Sequence, residues 1–285
     1  MRSILWEDLT RREIAALRDR NALVVIPTGA TEQHGDFLST DTDIVLSSEV
    51  AIRAARRVTQ FPVVIAPRLP FGFSPHHLSW PGTISLRLET FLAVLSDMVR
   101  SILDAGFTRA LFVNGHGGNE APLRALCGQL VTDGYAVGMT NYFTPSEAAW
   151  IPMLKGALKR GGHACEQETA LMLALHDDEP REQRRILQAI EGLAPRTMQP
   201  WMAPGSTTDP ITAAGAGWPP IFQADDCGYF GDPAKADIEN GERILEATVE
   251  RLARFFVEYG EATLRLGIAR DPARPGLALP LTGQR

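Results

Sequence analysis

The sequence predicts an α/β protein with a mostly parallel central sheet and helices on both faces. Three observations carry that prediction. Short uncharged runs, Leu23-Val24-Val25-Ile26, Val63-Val64-Ile65-Ala66 and Ala110-Leu111-Phe112-Val113, read as buried strands. Segments of helical apolar period separate them, giving the order β-α-β-α-β-α-β. Polar clusters follow two of the runs, at the strand ends where open parallel sheets form their ligand sites.

Taken in order, residues 7 to 20 predict an amphipathic helix, with Leu9, Ile14, Ala15 and Leu17 on one face and arginines opposite. The first strand leads into Pro27-Thr28-Gly29-Ala30-Thr31-Glu32-Gln33-His34-Gly35 and then Ser39-Thr40-Asp41-Thr42-Asp43. A helix over about 43–58 precedes the second strand, which Pro67 closes. The irregular stretch 69–83 carries His76 and His77 and is too long for a mere connector. Next come a helix from Leu88 to Ala105, a strand from Arg109 to Val113 and a second polar cluster, Asn114-Gly115-His116-Gly117-Gly118-Asn119. A helix from Glu120 to Val131 and a strand from about Tyr135 to Phe143 follow. Gly161 and Gly162 stand before His163, and a helix containing Glu168 runs through Leu175. Residues 177–233, rich in Pro, Gly, Trp and Asp with few periodic segments, read as a cover over the site or an oligomer contact. A last amphipathic helix spans about Pro233 to Tyr259 and stops before Gly260. The expected organisation is one domain over 1–270 and a loosely held tail over 271–285.

The chain has 285 residues, 45% apolar and 22% charged, enough for one large core. A net charge of −6 argues against nucleic acid as a partner. Cys127, Cys165 and Cys227 are far apart and odd in number, so no disulfide framework is expected and the compartment reads as reducing. The N-terminus lacks an apolar signal core and no run of about 18 apolar residues occurs. A cytoplasmic, soluble protein with no membrane partner is therefore expected.

Glu32 and His34 are two residues apart, which in an extended segment turns both side chains the same way. A carboxylate beside an imidazole is a common start for a metal site. The alternative is a polar loop whose acids cap the next helix, with Asp41 as its N-cap and Asp43 in the first turn. Within a regular helix His163 and Glu168 would diverge by about 140°, so His163 is expected at or before the helix start, turned toward the same site. A capping histidine and a solvated acid are the plain alternatives. Glu32, His34, Asp43, His116 and Glu168 together suffice for a two-metal centre with one bridging carboxylate. Such a centre acidifies a bound water toward about pH 7 and steadies the oxygen on which charge develops, the equipment of a hydrolase.

Jointly the motifs resemble the creatininase (creatinine amidohydrolase) family. They are Gly29 to Gly35, Asp41-Thr42-Asp43, Ser74-Pro75-His76-His77, Pro81 to Ser85, Asn114 to Asn119, His163 with Glu168-Thr169, and Gly231-Asp232-Pro233, spanning about 20–240. The resemblance implies an α/β/α sandwich and two divalent metal ions, zinc, manganese or iron. It implies Glu32, Asp43 and His116 on one metal and His34, Asp43 and Glu168 on the other, with Asp43 bridging. It also implies His163 as the proton shuttle to a leaving nitrogen, with Glu168 beside it among the catalytic residues. A homo-oligomer, commonly a hexamer, acting on a small molecule is implied as well.

Two departures shape the expected substrate. Where creatininase itself has an aromatic residue and a liganding glutamate, this chain has Gly117 and Gly118, which points to the Gly-His-Gly-Gly-Asn branch and away from creatinine. Asp36-Phe37-Leu38-Ser39 replaces a Pro-His-Leu-Pro segment, so Asp36 is expected to alter what the pocket accepts. Asp36, His77, Gly117 and Trp150 make up the expected substrate set. His77 reads equally as a loop histidine bonded to backbone. Trp80, Trp150, Trp201 and Trp218 form either a lid or, as is commoner for such residues, core and interface. The expected reaction is hydrolysis of a small amide, cyclic amide or formamide by a metal-bound hydroxide, a C–N bond other than a peptide bond. The alternatives are cleavage of a carbon–carbon bond in a cyclic diketone such as a keto-inositol, and a catalytically inactive metal-stabilised binding or scaffold protein.

Overall fold

Alternation along each strand divides this molecule into two cores, one on each face of a parallel sheet. The structure, a computed structural model, describes residues 2–197, 227–266, 269–270 and 278–279. Strands β1 (Leu23–Thr28), β2 (Val63–Ile65), β3 (Ala110–Asn114) and β4 (Val137–Asn141) pair in the order β2-β1-β3-β4, all parallel. The helices are α1 (Arg11–Asp19), α2 (Thr42–Ala55), α3 (Leu88–Asp104), α4 (Glu120–Thr132), α5 (Glu147–Trp150), α6 (Glu166–Leu175), α7 (Pro180–Ile190) and α8 (Ile238–Leu266).

Leu23, Val25, Val63, Ile65, Leu111 and Val113 point to one face, where α2 covers the strands and α6 and α8 pack on α2 in the same core. Val24, Ile26, Val64, Ala110 and Phe112 point to the other, against Leu17 of α1, Phe91 and Val99 of α3 and Leu123 of α4. Each large side chain removed from water there contributes about 1.5–3 kcal/mol before entropy is counted. Helix α6 is buried from Glu166 through Ala174: Ala170 to Ala174 are apolar all round, and the polar first turn is buried with Glu166 accepting the Lys155 and Gly156 N–H groups.

Several expectations need correction. The first helix starts at Arg11, because Thr10 and Glu13 form a capping box, and Trp6–Asp8 is a separate 3-10 turn. Asp41 stands at the N-cap of α2, but its side chain makes no capping hydrogen bond. Residues 180–190 are helical; Pro180 sits in the first turn and Ile186 and Ile190 reach the core, too short an apolar stripe to stand out in a polar stretch. The last helix runs through Gly260. That glycine is a close-packing point, since a Cβ there would lie 2.3 Å from Phe61, and its carbonyl accepts from Arg109 Nη1 at 2.6 Å. Trp201, Trp218 and the part of the predicted cover over 198–226 lie outside the described residues, as does the expected tail over 271–285 except for 278–279. No described helix is long and apolar enough to cross a membrane.

At the carboxyl ends of the strands a polar row crosses the sheet. Thr28, Asn114 and Asn141 are in register, with Thr28 Oγ1 donating to Asn114 Oδ1 at 3.3 Å and Asn114 Nδ2 to Asn141 Oδ1 at 2.9 Å.

Candidate metal centre

Two glycines let both strand ends close on one helix start. A Cβ at Gly29 would lie 2.5 Å from the Ile44 nitrogen, and one at Gly115 would lie 2.1 Å from the Asp43 carbonyl oxygen. No other residue fits at either position without moving backbone. The first turn of α2 is thereby pressed between the loops after β1 and β3, and Asp43 faces both.

The carboxylate of Asp43 divides between two histidines. Oδ1 lies 3.2 Å from His34 Nε2, and Oδ2 lies 3.1 Å from His116 Nδ1. Glu32 Oε1 is 3.2 Å from the same His116 nitrogen. All four side chains are buried. Among the described residues, three groups bring potential ligand atoms within 4.8 Å of one another: Glu32 with His34 and Asp43, with His76 and His116, and with His77 and His163. Glu32 belongs to all three.

The donor chemistry fits a metal. His34 Nδ1 lies 3.2 Å from the Glu32 carbonyl, and His116 Nε2 lies 3.2 Å from the Phe73 carbonyl. A carbonyl only accepts, so each ring spends its N–H on backbone and turns its other nitrogen to the carboxylates. The Ser74 hydroxyl also meets His116 Nε2, at 3.1 Å. Both oxygens of Glu32, Oδ2 of Asp43 and Nε2 of His34 are buried without a hydrogen-bond partner among the described residues. Orphaned acceptors in one place are costly, and a cation satisfies them together.

Charge at the site favours the same reading. Burial would raise Asp43, but the facing His34 and His116 outweigh it and hold the carboxyl below its usual range. Burial would lower His34, yet Asp43, Glu168 and Glu32 lift it to about 9. His116 is likewise raised against its burial, chiefly by Glu32. Glu32 is pushed up by burial, and Glu168 is pushed up to about 7 by burial and by Asp43, with His34 pulling the other way. His76 falls to about 4, and His77 and His163 fall well below their usual value, through burial reinforced by neighbouring histidines. Two imidazoles thus sit where positive charge is favoured, as from a bound cation, and three sit where burial disfavours it.

The remaining predicted residues fall in different places. His163 stands just before α6, bridged to Phe230, with its Nδ1 3.6 Å from Glu32 Oε1. Gly162 is required there, because a Cβ would lie 2.1 Å from the Phe230 carbonyl oxygen. Glu168 is in the first turn of α6, where Oε2 accepts the Cys165 N–H at 3.1 Å; it is in none of the three close groups, although its charge is felt by His34. His77 is buried and 3.3 Å from Glu32 Oε1. Asp36 and Gly117 are exposed, and a Cβ at Gly117 would meet nothing within 4 Å. Trp150 is core, its Nε1 donating to the Phe143 carbonyl at 3.2 Å. Neither glycine after His116 supplies a carboxylate, and at Gly118 a Cβ would lie 2.4 Å from His116 Nε2 and 2.8 Å from His76. Gln33, Ser74, Asn114 and Asn119 all lie in the motifs named above, but the sequence assigns none of them a role; their partners are distant in the chain.

The creatininase family, described as creatinine amidohydrolase, matches residues 7–256. The chain belongs to that family. It is a creatininase-family hydrolase. The chain is 31% identical over 242 residues to a mycofactocin precursor peptide peptidase of Mycobacterium ulcerans, covering 81% of this chain and 85% of that protein. It is 26% identical over 273 residues to a creatinine amidohydrolase of Pseudomonas putida, covering 88% and 95%. A solved structure titled "Creatininase Mn" superposes with a TM-score of 0.70 at 25% identity, covering 90% of this chain and 98% of that one. Creatininase-like α/β structure thus extends through the strand ends described above.

Proposed function

We propose that this creatininase-family hydrolase holds two divalent metal ions and hydrolyses an amide C–N bond. One observation carries the reading: Asp43 offers one oxygen toward His34 and the other toward His116, as a bridging carboxylate would. Glu32, Asp43 and His116 would hold one ion, and His34, Asp43 and Glu168 the other. Support for Glu168 is its charge coupling to His34 and the lack of room for any side chain at Gly118. When bound, such ions supply Lewis-acid polarisation of a carbonyl and a water acidified toward about pH 7.

The chain's own residues do the rest. The His163 Nε2–H donates to the Gln33 carbonyl at 2.7 Å, which leaves Nδ1 as the basic nitrogen, 3.6 Å from Glu32 Oε1. A neutral imidazole so placed takes a proton from the attacking water and returns it to the leaving nitrogen. Asp36 and Gly117, exposed beside the two ligand-bearing loops, would meet the substrate, and replacing Asp36 by Pro should change substrate preference in a kinetic comparison.

A peptide amide is a second reading, favoured by the match to a named peptidase over most of both chains. A turnover panel of lactams, formamides, short peptides and keto-inositols, run on the wild type and on His163→Ala, separates these. The expected result is turnover of an amide that falls by at least about 100-fold in His163→Ala, with metal content unchanged. A fully active His163→Ala would remove the shuttle, and no turnover of any amide would favour the binding or carbon–carbon readings. Homo-oligomerisation belongs to the same proposal. Phe71, Leu78 and Ile84, exposed along the loop before α3, and Leu88, exposed at its first position, support it, and light scattering of the pure protein tests it.

A further inference from the structure

Gln33 touches two histidines that flank Glu32, and it touches them differently. Its side-chain Nε2 lies 3.1 Å from His77 Nδ1, while its backbone carbonyl lies 2.7 Å from His163 Nε2. The amide is not free to flip, because Oε1 accepts the Gly35 N–H at 2.9 Å, so nitrogen must face the rings. It is also packed beneath Gly228, where a Cβ would lie 2.2 Å from Gln33 Oε1.

These contacts decide where each ring carries its proton. An amide N–H only donates, so His77 Nδ1 accepts and the His77 proton resides on Nε2, 3.3 Å from Glu32 Oε1. A carbonyl only accepts, so His163 Nε2 bears a proton, and Nδ1 is turned toward the same Glu32 oxygen at 3.6 Å. The amide nitrogen is also 3.1 Å from His163 Nε2, but two N–H groups cannot bond each other, and the shorter carbonyl contact prevails. Both rings carry a proton on Nε2 and are turned end for end about Glu32.

We propose that Gln33 is a positioning residue that fixes this arrangement: its side chain places the His77 proton on Nε2, the nitrogen nearer Glu32, and its backbone carbonyl holds a His163 proton on Nε2 and so turns Nδ1 toward the same carboxylate. Removing the side chain should release His77 and leave His163 as it was. The consequence for catalysis rests on the function proposed above; the tautomers do not.

The test is a long-range 1H–15N correlation spectrum of histidine-labelled protein, recorded metal-free and zinc-loaded; the chain has only six histidines to assign. The wild type should show His77 and His163 as single Nε2–H tautomers in both samples. In Gln33→Met, His77 should become a mixture of tautomers while the His163 ring signals stay in place. With an active preparation, kcat should fall by about tenfold or more with KM little changed. His77 protonated on Nδ1 in the wild type would overturn the proposal without any variant, and so would a folded Gln33→Met with His77 unmoved. Inactivity toward every amide, with the wild-type tautomers as stated, would defeat the proposed reaction and leave the role of Gln33 standing.

Discussion

The loops after β1 and β3 begin alike and end differently. Both leave a strand through a glycine pressed on the first turn of α2, Gly29 in one and Gly115 in the other. Beyond that point the β1 loop spends its residues on ligands, burying Glu32, Gln33 and His34 in succession. The β3 loop supplies one ligand, His116, and spends its asparagines on holding other backbone. Asn119 Nδ2 donates to the Gly29 carbonyl at 2.9 Å and to Asn114 Oδ1 at 3.1 Å, and its Oδ1 accepts the Phe73 N–H at 2.9 Å. One loop is the site and the other is its frame, so damage to the frame should reach the site through geometry.

Gly115→Ala should do the most harm. The new Cβ meets the Asp43 carbonyl, which belongs to backbone and cannot swing away, so a loss of about 3 kcal/mol and a lowered metal affinity are expected. Denaturant melts beside zinc titrations measure both; a variant as stable as wild type would show that the strand end does not press on α2. Asn119→Ala comes next, at about 2 kcal/mol, since it strands the Phe73 N–H and the Gly29 carbonyl in a buried place. If that variant binds metal normally, the loop is not the frame. Gly117→Ala should change stability by less than about 0.5 kcal/mol, because the added methyl meets open space. A loss of turnover without a loss of stability there would sharpen the comparison, marking Gly117 as a point where substrate approaches.

What the sequence made legible divides along the same line. The ligand loop could be read, because its chemistry is local: Glu32 and His34 alternate on an extended segment, and both precede Asp43 on the next helix. The run of apolar residues in β1 and β3 likewise announced buried parallel strands. The frame could not be read, because it is made of long-range partners. Nothing near Gly260 tells that its carbonyl belongs to Arg109, so a glycine inside a helix passed for its end. The tautomers of His34 and His116 depend on the carbonyls of Glu32 and Phe73, and the second is remote in the chain. Gln33 was passed over for the same reason, its two histidines being 44 and 130 residues away. Trp150, expected among the substrate residues although core is the commoner reading for such tryptophans, belongs to the core and donates to the Phe143 carbonyl.

The measurement that tests the central claim most directly is the metal content per chain, by elemental mass spectrometry, of the wild type and of Asp43→Ala. If Asp43 joins two ions, the wild type carries two and the variant, still folded, loses most of both. A folded wild type with no metal, and with none taken up from zinc, manganese or iron, would contradict the bridged centre and return the buried carboxylates to a purely structural role.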